Sequence, residues 1–151
     1  MLRLMFVMAL AVMLPASAAD PDPATMAIKR DADIVWVENP IAPGLKTAVV
    51  HGDPSGPGIY IIRVRFAPGT MSPPHFHPEA RYIVVLKGTW WVGAGPKWDR
   101  DATTPVPAGS FVLHHPNKIH YDGAKDEEVM LQITGIGPSA TKLVDESGHP
   151  K

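Results

Sequence analysis

His75 and His77 stand either side of Phe76 in the stretch Gly69 to Gly88, GTMSPPHFHPEARYIVVLKG. On an extended backbone alternate side chains share a face, so these two imidazoles lie side by side. Neutral imidazole is the commonest metal-ligand side chain, and two of them supply half of a four-coordinate site. A His-x-His alone is also compatible with solvent-facing or structural histidines. The run that follows, Arg81 to Lys87, is β-branched and aromatic and ends at Gly88-Thr89, which makes a stiff wall beside the pair.

The elements that must hold these residues are short strands. Residues 34–37, 46–51, 59–66, 81–87, 89–93, 110–115, 119–121 and 127–135 each carry strand-type residues bounded by Gly, Pro, Asn or Asp. Ile62, Val64 and Phe66 alternate with Arg63 and Arg65, which gives that strand one apolar face. The chain contains 17 prolines and 13 glycines, which fits many short strands joined by turns. Pro23 to Arg30 is the best candidate for a short helical turn, and no segment of the mature chain holds a helical period over three turns. The expected class is all-β, a single-domain sandwich or barrel.

Residues 1–19 read as a secretory signal peptide: a basic Arg3, an apolar run from Leu4 to Leu14, then Pro15 and small residues. The apolar run is shorter than the roughly 20 residues that a bilayer span requires. Cleavage after Ala18 or Ala19 fits equally, and the expected location is periplasmic or secreted. Residues 20–45 are expected to form an N-terminal arm and first strand, 46–137 the barrel, and 138–151 a polar, loosely held tail. Loss of Arg3 with the leader takes the formal net charge from −1 to −2. That balance, without a basic run, argues against nucleic acid and, after signal cleavage, against membrane surfaces as partners. There is no cysteine, so neither a disulfide nor a thiolate-bound metal is available.

Gly69, His75, His77 and Gly88 match the first signature motif of the cupin superfamily, and Gly109 and His120 match the second. The resemblance covers a little over a third of the chain and implies a small jelly-roll barrel, the fold class that the strand pattern indicates independently. Three positions depart from the motifs. Arg81 stands where a ligating Glu is usual, His115-Pro116-Asn117 replaces Pro-x-Gly, and Ala124 takes the Asn slot. Asn117 tolerates a left-handed turn almost as glycine does. An arginine cannot ligate a cation and repels one.

The resemblance leaves His75, His77 and His120 as metal ligands, similar to the three-His sets of thiol and diketone dioxygenases. Such a set accepts Fe, Mn, Ni, Cu or Zn as a divalent transition metal. Glu79 is a further candidate ligand if its loop bends inward. Arg81 either binds an anionic group of a substrate as a catalytic residue or pairs with Glu79 at the barrel mouth. His115 is expected near His120 as a partner orienting a ligand, and His114 is expected to face away. At most one of the adjacent Trp90 and Trp91 enters the barrel. The resemblance implies a metal-dependent, dioxygenase-type enzyme on a small-molecule substrate, with a homodimer as a family expectation. The competing expectation, from Arg81 and Ala124, is a non-catalytic barrel that binds a small ligand without metal.

Overall fold

The computed structural model describes residues 19–151, so nearly the whole signal-peptide segment lies outside the described residues. Among the described residues eleven strands follow one another: β1 (Val37–Glu38), β2 (Leu45–His51), β3 (Gly58–Phe66), β4 (His75–Phe76), β5 (Arg81–Lys87), β6 (Thr89–Ala94), β7 (Thr104–Pro107), β8 (Phe111–His114), β9 (His120–Gly123), β10 (Val129–Gly137) and β11 (Lys142–Leu143). They form two antiparallel sheets, a six-stranded one in the order β1-β2-β3-β10-β5-β8 and a five-stranded one in the order β11-β4-β9-β6-β7. Among the described residues the only helical element is a single 3-10 turn at Asp31–Asp33.

Period-two alternation decides which side chains fill the space between the sheets. Tyr60, Ile62, Val64 and Phe66 of β3, Ile83 and Val85 of β5, and Val129, Leu131 and Ile133 of β10 are all buried in one core. Register stacks them: Ile133 pairs with Ile62 on one side and with Ile83 on the other. Removing each such aliphatic side chain from water is worth about 1.5–3 kcal/mol. Gly88 carries the chain from the first sheet to the second with φ of +74°, a region that a side chain rarely adopts. A Cβ there would also collide with the Glu128 carbonyl.

The outward side chains of β3 bind the N-terminal arm. Arg63 Nη1 reaches Asp31 Oδ1 at 3.3 Å, and the Arg65 guanidinium lies 4.3 Å from the Trp36 ring centroid. Pro23 to Arg30 forms a turn at residues 23–25 and no helix. The expected strand at 34–37 shrinks to β1, because Ile34 turns inward and is buried as an anchor. Two strands escape a reading by composition. β7 contains Pro105 and Pro107, which an edge strand tolerates because one of its sides donates no ladder hydrogen bonds. β11 lies in the segment expected to be a loose tail. Instead Lys142 and Leu143 pair with Phe76 and His75, and Val144 is buried.

Candidate metal centre

β4 starts directly after Pro73-Pro74, the second of which lies in a bend, and His75 pairs in register with His120 of β9. Side chains directly opposite on neighbouring strands touch. His77 follows just beyond the strand. Its carbonyl accepts a hydrogen bond from the Asn117 amide at 2.7 Å, in a turn where Asn117 has φ of +59°. The left-handed turn expected of this asparagine is therefore present, and it ties the loop before β9 to the β4 segment.

The three rings meet. Centroid separations are 4.9 Å for His75–His77, 4.4 Å for His75–His120 and 5.2 Å for His77–His120. One ring nitrogen from each lies within 4.8 Å of the other two. The histidines are only 5%, 4% and 8% exposed, in chain order. Each Nδ1 faces a backbone carbonyl: His75 to Pro73 at 2.8 Å, His77 to Ala140 at 2.9 Å, His120 to Lys118 at 2.9 Å. A carbonyl can only accept, so each Nδ1 donates and each Nε2 keeps its lone pair. This is the arrangement that orients a metal-binding imidazole. The Nε2 of His120 is buried and has no hydrogen-bond partner. A cation there would satisfy it, so the residues present fit a metal ion.

Burial, reinforced for His77 by the Arg81 charge, pushes the ring pKa of His77 far below the usual 6.5. Burial also lowers His120, to about 4, with the nearby Asp122 carboxylate opposing the shift. The neutral, ligating form of both rings is thus favoured at pH 7.

Arg81 points inward with Ile83 and Val85, as the alternation of β5 requires. Its Nε donates to Glu79 Oε1 at 3.1 Å and its Nη2 to Ser139 Oγ at 2.6 Å. Glu79 Oε1 also accepts from the Tyr60 hydroxyl at 3.1 Å and from Ser139. Burial alone would raise the Glu79 pKa, but the hydrogen bonds from Ser139 and Arg81 outweigh it and hold it below the usual value. Glu79 is thus drawn into a pair with Arg81 and stands outside the three-His group. The same carboxylate offsets the guanidinium charge that would otherwise repel a cation. Of the two expectations for Arg81, the pairing with Glu79 is present, and the guanidinium also lines the cavity that the histidines face.

That cavity encloses about 290 Å³ between the sheets. The three histidines and Arg81 share its wall with Ser139 and Thr141 from the C-terminal segment, and Ile62, Val64 and Ile133 supply part of its apolar surface. Trp90 also reaches it and is buried, whereas Trp91 faces outward beneath Lys125, whose Nζ is 3.9 Å from the ring centroid. His114 and His115 exchange the placements expected of them. His114 pairs in register with Arg81, so it shares that inward face, and its ring centroid lies 3.8 Å from that of His120. Burial lowers its pKa to about 3. His115 lies past the end of β8 and is exposed. Asp122 belongs to the cavity wall as well and has no counterpart in the sequence expectations.

A family model described as a ChrR cupin-like domain matches residues 24–140. Among curated proteins, germin-like protein 1-1 of Oryza sativa subsp. japonica is 32% identical over 84 residues, 55% of this chain and 35% of that protein. Germin-like protein subfamily 1 member 7 of Arabidopsis thaliana is 51% identical over 37 residues, 24% of this chain and 16% of its own. The matched regions thus span about a third or less of these relatives. Among solved structures, the polyketide cyclase RemF from Streptomyces resistomycificus superposes with a TM-score of 0.64 at 18% identity, covering 82% of this chain and 89% of that one. A cupin-2 domain protein from Rhodospirillum rubrum also gives a TM-score of 0.64, at 17% identity, with 81% and 82% covered. These structural likenesses share the fold.

Proposed function

The chain belongs to the ChrR cupin-like family of the cupin superfamily, and from that premise we propose an exported, metal-dependent enzyme of the dioxygenase type acting on a small molecule. The observation that carries the proposal is the tautomer set: three buried imidazoles whose Nδ1 atoms are tied to carbonyls and whose Nε2 atoms are left for one ion. His75, His77 and His120 would hold a divalent Fe, Mn, Ni, Cu or Zn ion. When bound, such an ion supplies Lewis acidity or, for iron, manganese or copper, a redox centre.

The chain's own groups do the rest. Aliphatic walls exclude water and take the apolar part of the substrate. Arg81, held by Glu79 and Ser139, offers a positioned positive charge for an anionic group. The extent of that offer is limited by Glu79, which already neutralises it. Export rests on residues 1–19. A second reading, a barrel that binds its ligand without metal, is favoured by the lack of a glutamate ligand in the position that Arg81 occupies.

Metal analysis of the purified, untagged mature protein tests the choice. Stoichiometric metal, lost in a His75→Ala/His77→Ala double variant, supports the enzyme reading. An absence of metal in both proteins after reconstitution overturns it. For the dioxygenase type, the iron(II)-loaded protein under nitric oxide should give the EPR signal of a high-spin iron–nitrosyl, since three protein ligands leave positions open. N-terminal sequencing of the chain recovered from a Gram-negative periplasm should read from Ala19 or Asp20.

A further inference from the structure

A sandwich of two sheets has a seam along each side. On one side run the β1-β2 end of the six-stranded sheet and the β11 end of the five-stranded one. Thr47 and Val49 of β2, with Ala140 and Thr141 just before β11, line the main cavity there. On the other side the terminal strands are β8 and β7. A second cavity of about 320 Å³, open to solvent, lies along this seam. It narrows inward. Ala94, Ala102 and Thr104 are exposed at its rim, Val92, Val112 and His114 behind them are half-buried, and His120 at its inner end is buried. Strand pairing explains the gap. β7 pairs with β6 only from Thr89 to Val92, so Ala94, directly opposite His120, lies past the covered stretch.

His114 and His120 belong to the walls of both cavities, and their ring centroids are 3.8 Å apart. These two rings are therefore the partition between the seam and the main cavity. The His120 ring is fixed by the bond from its Nδ1 to the Lys118 carbonyl. The His114 Nδ1 is enclosed and makes no hydrogen bond, so His114 is the less restrained half of the partition. The passage up to it is lined by aliphatic side chains and Thr104 and carries no charged side chain. Such a lining admits a small neutral molecule and disfavours an ion or a carboxylate, which it cannot solvate. The main cavity, with the Arg81 guanidinium in its wall, has the opposite preference.

Building on the dioxygenase-type reading, we propose that the β7–β8 seam is a second entrance to the site. It takes a small, neutral, apolar molecule of the dioxygen class past His114 to the His120 side of the histidine group, while the organic substrate uses the main cavity. The two reactants then arrive from opposite sides of the sandwich, and a bound substrate does not block the path of the smaller one.

Xenon, which settles in dry apolar cavities, tests the route in crystals of the metal-free, unsubstituted protein under xenon pressure. Density between Val92, Val112 and His114 supports the passage, and xenon absent from that position overturns it. Nitric oxide binding to the iron(II)-loaded protein, followed by stopped flow, tests the use of the route. Ala94→Phe should slow association and dissociation together, each by about tenfold, and leave the Kd unchanged, because an obstruction in the path raises the barrier in both directions. Ala94→Ser, close to alanine in size, should keep both rates. Unchanged rates in Ala94→Phe, or a changed Kd with an unchanged association rate, overturn the inference. A protein that takes up no iron overturns the three-His reading instead, and the xenon position still decides whether the passage exists.

Discussion

The Nδ1 of His77 donates its hydrogen bond to the carbonyl of Ala140, 63 residues further along the chain, at 2.9 Å. A ligand candidate from the first motif is therefore oriented by the C-terminal segment. That segment is fastened by β11 against β4 and by the burial of Val144. The expectation of a loose tail fails for this physical reason: its polar residues face the site and find partners there.

A chain ending at Pro138 is expected to lose the His77 partner, the Ser139 hydroxyl and the β11 pairing at once. Its metal affinity should fall by about tenfold to a hundredfold, with a lower thermal midpoint. Titration with zinc and a melting curve check both outcomes. Retention of full affinity in the truncated chain would show that the Ala140 carbonyl does not hold the ring.

Glu79→Ala is expected to destabilise the fold without emptying the metal site. The Arg81–Glu79 pair is nearly buried, at 10% and 12% side-chain exposure. Removing one member leaves a buried guanidinium uncompensated, which costs roughly 3–5 kcal/mol. Denaturant unfolding measures the loss. At saturating metal the stoichiometry of the folded fraction should stay at the unsubstituted value, because Glu79 stands outside the three-His group, while the unbalanced guanidinium weakens the affinity; loss of metal also in a folded Glu79→Ala/Arg81→Ala double variant would restore Glu79 as a ligand.

Much of this arrangement was legible in the chain, because period-two alternation and the glycine anchors act locally. The inward faces of β3 and β5, the meeting of His75 with His77, and the left-handed Asn117 turn all follow from short-range rules. What escaped depends on pairing across the sheet or on misread punctuation. Asp122-Gly123 has the composition of a hairpin turn, so the strand was expected to stop at Tyr121 and Asp122 to lie outside it. Gly123 instead lets the backbone at Thr70 and Met71 approach closely, where a Cβ would collide. The strand continues through it, and the same parity that joins His75 to His77 joins His120 to Asp122. His114 was legible only from its register with Arg81, which no local pattern carries.

The metal-free protein is expected to lose stability as pH falls from about 6.5 towards 4. In the unfolded chain histidines take up protons near the ordinary value of 6.5, whereas in the fold burial holds His120 to about 4 and His114 to about 3. Between those values the unfolded state binds more protons, so acid favours unfolding. Glu79, lowered in the fold, acts in the same direction at more acid pH. Urea midpoints measured from pH 7.5 to 4 should decline, and His114→Phe should flatten the slope. A pH-independent midpoint would mean that these rings are protonated alike in both states.

Filling the apolar end of the cavity is expected to separate substrate binding from metal binding. Val64 lies on the inner face of β3, lines the cavity and is buried. Val64→Phe adds a ring to a space of about 290 Å³ and takes up a sizeable part of it. Metal uptake should be unchanged, since Val64 lies outside the histidine group. Binding of small carboxylic acids with an apolar body, followed by calorimetry on the zinc-loaded protein, should weaken at least about tenfold, as overpacked contacts cost roughly 1–3 kcal/mol. Arg81→Gln should weaken the same acids but spare their uncharged amides. If both variants bind acids and amides as the unsubstituted protein does, the ligand does not occupy the space between the sheets.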